Sequence, residues 1–153
     1  MLGNGERIMS VPTWERTLSK TQFLYELYQL NVRLGEIVYN KPAKYRVTYG
    51  DKIVTQGIEA MRYAQAANLI FMSNKTTEAD YNLRRKYLLN ALSLVDSLST
   101  LADIFLSLNY RMDGCSKETL EKNQIEIGSR TKTCHDLIKG VLESDKKVYG
   151  HAP

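Results

Sequence analysis

The stretch "NKPAKYRVTYGDKI", Asn40 to Ile53, decides how the chain is divided, because Pro42 ends a helix and the residues on both sides of it are helical in period. Upstream, Phe23, Leu27, Leu30, Leu34 and Ile37 recur at alternating spacings of four and three, the mark of one apolar face on a helix from about Ser19 to Asn40. Downstream, Ile53, Gly57, Ala60, Ala64, Ala67 and Phe71 repeat the pattern with mostly small residues, so a neighbouring helix is expected to approach closely there. The quoted stretch is therefore read as a connector between two long helices.

The same reasoning carries the division to the end of the chain. In "SNKTTEAD", Thr77 is placed to cap a third helix, and Asp80 three residues on favours its positive start. That helix has two adjacent apolar stripes, Ala91, Leu94, Leu98, Leu101, Phe105, Leu108 and Leu88, Leu92, Val95, Ala102, Leu106. Core burial and contact with another subunit explain a double stripe equally well. "MDGCS" breaks the chain again, and Ser116 opens a fourth helix whose face, Leu120, Ile127, Cys134, Leu137 and Val141, is interrupted by Asn123, Gln124 and Arg130. No alternating strand pattern competes. The expected architecture is all-α, an antiparallel up-and-down four-helix bundle over residues 19–144, with a flexible N-terminal segment (1–18) and a C-terminal tail (145–153).

Composition is that of a soluble globular chain: 153 residues, 43% hydrophobic and 25% charged. No uninterrupted apolar run nears the roughly 20 residues of a membrane span, and the first residues lack a signal-peptide pattern. A cytoplasmic protein is expected, and Met9 is an alternative to Met1 as its natural start. Cys115 and Cys134 form no ligand pair and no disulfide framework, so free thiols are expected, with no metal and no cofactor.

Net charge is +4, from 21 Lys and Arg against 17 Asp and Glu, which permits a polyanionic partner without requiring one. Between Lys41 and Arg62 the sequence holds five cations, Lys41, Lys44, Arg46, Lys52 and Arg62, and two anions, Asp51 and Glu59. These cations are suited to phosphates, and Tyr45 and Tyr49 are suited to stacking on unpaired bases. A second run, Arg84, Arg85 and Lys86, fans around the first turns of the third helix. In an up-and-down bundle the two runs fall at opposite ends, so they serve one site only along the bundle or across subunits. A solvated connector with core-packed tyrosines is the competing reading. The charges on the fourth helix, Lys117, Lys122, Lys132 and Lys139 among Glu118, Glu121, Glu126 and Asp136, together with Arg33 and Glu36 on the first, are expected to form mixed-sign pairs.

One catalytic pattern is present. Arg130 and His135 in "RTKTCH" have the Arg-x4-His spacing seen in HEPN ribonucleases, where the histidine handles a proton and the arginine holds phosphate. Thr131 stands where that family usually has Asn, Asp or His after the arginine. No phosphate loop, metal cluster or nucleophile–base pair is visible elsewhere, so no enzyme is expected.

Taken together, "MSVPTWERTLSKTQFLYELYQLNVRLGEI", "KPAKYRVTYGDKI", "AMRYAQAANLI" and "RRKYLLNALSLVDSL" resemble a group of small four-helix bundles. It contains proteins encoded in intervening sequences of bacterial 23S ribosomal RNA genes and the accessory variability determinants (Avd) of diversity-generating retroelements. The resemblance runs from about Met9 to Gly150, and the "MSVP" opening and cationic fourth helix look more like the retroelement branch. It implies a bacterial or phage homopentamer without chemistry of its own, which binds template RNA or cDNA and a reverse transcriptase during error-prone copying. The residues expected to meet nucleic acid are then Lys41, Lys44, Tyr45, Arg46, Tyr49, Lys52, Arg62, Arg84, Arg85 and Lys86. The ribonuclease and a structural bundle without nucleic acid stay open as alternatives.

Overall fold

A computed structural model describes residues 18–150; the "MSVP" opening, Met9, His151 and most of the expected N-terminal segment lie outside them. The described residues are all-α, with four helices and no strand. Helix α1 is Leu18–Tyr39; α2 comprises Ala43–Tyr45, a π-helical turn Arg46–Gly50 and the body Asp51–Asn68; α3 is Glu78–Asp113 and α4 Lys117–Gly150. Sequential helices pack on one another, and α1 also packs on α4.

The helix ends follow from local chemistry. The Thr77 hydroxyl accepts the Asp80 N–H at 3.2 Å, the cap expected for α3. α3 stops at Gly114, whose φ of 70° is the left-handed conformation glycine tolerates, with its N–H donating to the Tyr110 carbonyl. Ser116 then caps α4 by accepting the Thr119 N–H at 3.1 Å. The Pro42 break is shorter than the sequence predicts. Pro42 ends α1 but also stands immediately before the next helix, where its missing N–H costs nothing, so the chain is helical again from Ala43. Most of the "connector" is thus the first turns of α2.

All five predicted apolar residues of α1 are buried. On α2, Ile53, Gly57, Ala60, Ala64 and Ala67 are buried, whereas Phe71 lies past the helix and is exposed. The close approach predicted for the small residues is real at Gly57, where a Cβ would come within 2.1 Å of Asn31 Oδ1. On α3 the core takes members of both stripes, Leu88, Ala91, Val95, Leu98, Ala102 and Phe105, and leaves Leu94, Leu101 and Leu108 half-buried. α3 is also long and apolar enough to cross a membrane, a length and composition that core helices of soluble proteins share. The four helices place roughly twenty apolar side chains together, each fully buried Leu contributing on the order of 1.5–3 kcal/mol.

The expected tail from residue 145 is instead helix as far as Gly150. Asp145 is buried and bonded to Arg84, while Tyr149 stacks on Tyr81 with ring centroids 4.2 Å apart. Hydrophobic patterning could not reveal this, because an ion pair and an aromatic pair hold the last turns, not an apolar stripe.

Candidate nucleic-acid interface

At the α1–α2 turn the predicted residues divide. Lys44 is exposed and its ammonium lies 3.2 Å from the Asp113 carboxylate, a hydrogen bond and charge that raise its pKa. Tyr45 points inward at 6% exposure, edge-on to Phe105 with centroids 6.4 Å apart. Its hydroxyl is enclosed without a well-formed hydrogen bond; burial first, then the Asp113 charge, pushes the phenol's pKa up. Tyr45 is therefore corrected from a base-stacking ring to a core residue, since a buried ring has no face to offer. Tyr49 is half-buried against the core.

Arg46, half-buried, keeps its guanidinium 5.8 Å from the Tyr39 ring centroid, and Tyr39 is 58% exposed. The cation-and-ring combination expected here is made by Arg46 and Tyr39. Tyr39 was legible in principle, since it ends α1 off the Leu34–Ile37 stripe. Lys41 is half-buried, Lys52 is exposed, and neither makes an ion pair among the described residues. Arg62 is exposed but bonded to Glu59 at 3.0 Å.

The second run divides more sharply. Arg84 is 8% exposed: Nε donates to Asp145 Oδ2 at 2.6 Å, Nη2 to Asp145 Oδ1 at 3.2 Å, and Nη1 to the Ala67 and Ile70 carbonyls at 2.9 Å. It closes the α2 C-terminus, adding a side-chain donor to the Ala67 carbonyl, which the Ile70 N–H also meets at 3.1 Å, and to the Ile70 carbonyl just past the helix. A guanidinium with this many acceptors in the core is unavailable to phosphate, so Arg84 is corrected to a structural residue. Its neighbours Arg85 and Lys86 are exposed. Lys44 meets the end of α3 and Arg84 sits near its start, roughly 44 Å apart at about 1.5 Å per residue, so the runs do not form one compact patch on one chain.

Arg130 and His135 do not converge. Arg130 Nε donates to Glu126 at 3.2 Å, and the same carboxylate accepts from Arg33 at 2.9 Å. Burial pushes the Glu126 pKa up, but the two guanidiniums outweigh it and hold the group below the usual carboxylate range. His135 Nδ1 lies 2.7 Å from Asp96 Oδ1 in a shallow cleft of about 330 Å³ that includes Ser99, Thr100 and Lys132, but not Arg130. Lys132 bonds Asp136 at 2.6 Å. Several of the charges expected to form mixed-sign pairs therefore do so. Cys134 is fully buried and burial pushes its thiol up to about 12, whereas Cys115 is half-exposed.

No family model, curated protein or solved structure matches the chain.

Proposed function

We infer that this protein is a non-catalytic accessory subunit that binds nucleic acid and works beside a reverse transcriptase in a diversity-generating retroelement. The reading joins the resemblance of the sequence to Avd proteins with one structural observation. At the α1–α2 turn, Lys41, Arg46 and Lys52 remain available while Tyr39 offers an exposed ring, the pairing that unpaired bases and phosphates require. The bundle is read as antiparallel and up-and-down, an arrangement favoured by Lys44–Asp113 joining the start of α2 to the end of α3 and Arg84 joining the end of α2 to the start of α3. Homo-oligomers, pentamers by resemblance, in the cytoplasm complete the proposal. Hydrolysis is not part of it, because Arg130 is committed to Glu126 away from the His135 cleft.

The test is anisotropy of labelled single-stranded RNA with the purified protein at physiological salt, with the RNA checked for cleavage. Intact, bound RNA supports the reading. Absence of binding would reject it, and cleavage lost in His135→Ala would replace it with the ribonuclease.

A further inference from the structure

At two places on its outer side the α3–α4 seam opposes complementary groups: Asp103 meets Gln124 at 2.6 Å and Asp96 meets His135 at 2.7 Å. Near the start of α3 this pattern changes. At about 100° per residue, Arg85 lies in the same direction as Asp103 and within about 20° of Asp96. By the same count Lys146 lies within about 20° of His135 on α4. The Arg84–Asp145 pair fixes the register of the two helices, and Arg85 and Lys146 are the next residue on each. Two exposed cations are thereby placed across one seam, and neither makes an ion pair among the described residues. The adjacent carboxylate that would compensate them, Asp145, is committed to Arg84. The nearest other carboxylates are Glu143, three residues before Lys146 on α4, and Glu78, within about 20° of Arg85 on α3 but two turns away, and neither makes an ion pair among the described residues.

One turn outward from these cations the seam ends in the Tyr81–Tyr149 pair, near-parallel at 6° and half-buried, so both rings keep part of their surface in solvent. Lys86 and Lys147 are exposed too, but at about 140° and 160° round their helices from Tyr81 and Tyr149 they face away from the pair. Like charges placed close together are unfavourable in the free protein, and a bound polyanion relieves them. Rings at the same place distinguish a nucleic-acid strand from an acidic protein, because bases stack and carboxylate side chains do not. We propose that this end of the α3–α4 seam is a second binding site for single-stranded nucleic acid, with Arg85 and Lys146 on consecutive phosphates and a base against the Tyr81–Tyr149 pair. The proposal rests on the reading of the protein as a nucleic-acid binder and adds a site at the end remote from the α1–α2 turn.

The experiment compares binding of a short labelled oligouridylate by wild type, Arg85→Ala/Lys146→Ala and Lys41→Ala/Arg46→Ala/Lys52→Ala over a salt titration. Circular dichroism verifies that the variants are folded. The seam variant is expected to bind about tenfold more weakly at low salt, its log–log salt slope flattened by about 1.4, the counterion release of two phosphate contacts. A seam variant that binds as wild type does, while the turn variant is weakened, overturns the second site and leaves the proposed function standing. Wild type that binds nothing overturns both. Competition assigns the ligand class: an abasic strand of equal length should compete less well than the oligouridylate. Equal competition by polyglutamate would overturn a nucleic-acid site in favour of an acidic protein.

Discussion

At one end of α3 an arginine meets an aspartate inside the core; at the other a lysine meets an aspartate in solvent. Arg84–Asp145 has side chains 10% and 9% exposed and four donor–acceptor contacts on the guanidinium, whereas Lys44–Asp113 is a single contact with the lysine side chain 62% exposed. The distinction lies in what water would otherwise do. A desolvated charge is costly once its partner is removed, while an exposed one is rehydrated. Cations committed to the core and cations open to solvent are thus separated by burial, although they stand in similar sequence runs.

The sharpest way to break that comparison is at the buried pair. Arg84→Ala or Asp145→Ala is expected to lose about 3–5 kcal/mol in urea unfolding, because either leaves a buried charge alone. Arg84→Met/Asp145→Leu should recover much of that loss. Lys44→Ala, the matched change at the other end, should leave the midpoint within error; equal effects at the two ends would erase the distinction.

Between the ends, Gly57→Ala tests the close approach of α1 and α2. Its new methyl would meet Asn31 Oδ1, which is held in place by Asn31 Nδ2 donating to the Leu27 carbonyl at 2.9 Å. A loss of about 1–2 kcal/mol is expected, relieved in Asn31→Ala/Gly57→Ala.

A smaller effect is expected at the Arg33–Glu126 link between α1 and α4. The folded Glu126 pKa is depressed, so its stabilisation is present above the ordinary carboxylate range and is lost as pH falls through the folded value. Glu126→Gln should therefore lower stability at neutral pH and remove part of the decline on acidification, both read from thermal melts. The smallest perturbation is chemical labelling. Cys115, at the α3–α4 turn, should react with a thiol reagent in the native protein, and Cys134 only after unfolding.

The division into helices was legible because Pro42, Thr77 and Gly114 act through local backbone chemistry and the apolar stripes through period. Side-chain direction was less so. Tyr45 and Tyr49 follow Tyr39 within ten residues, but the early restart of α2 at Ala43 turns Tyr45 onto Phe105. Likewise Arg84, Arg85 and Lys86 differ only by rotation about α3, and the carboxylate that claims Arg84 lies 61 residues away. Long-range pairing of this kind leaves no mark in periodicity, which is also why residues 145–150 read as a tail.

The most direct test of the central claim, that the cations left without an ion pair are those that meet nucleic acid, is the salt dependence of single-stranded RNA binding in paired variants. Lys41→Ala/Arg46→Ala/Lys52→Ala should flatten the log–log slope by about 2, the release expected for three phosphate contacts. Arg84→Met/Asp145→Leu, if folded, should leave the slope unchanged. A slope insensitive to these two lysines and the arginine, or one that falls when the buried pair is removed from a folded protein, would contradict the account.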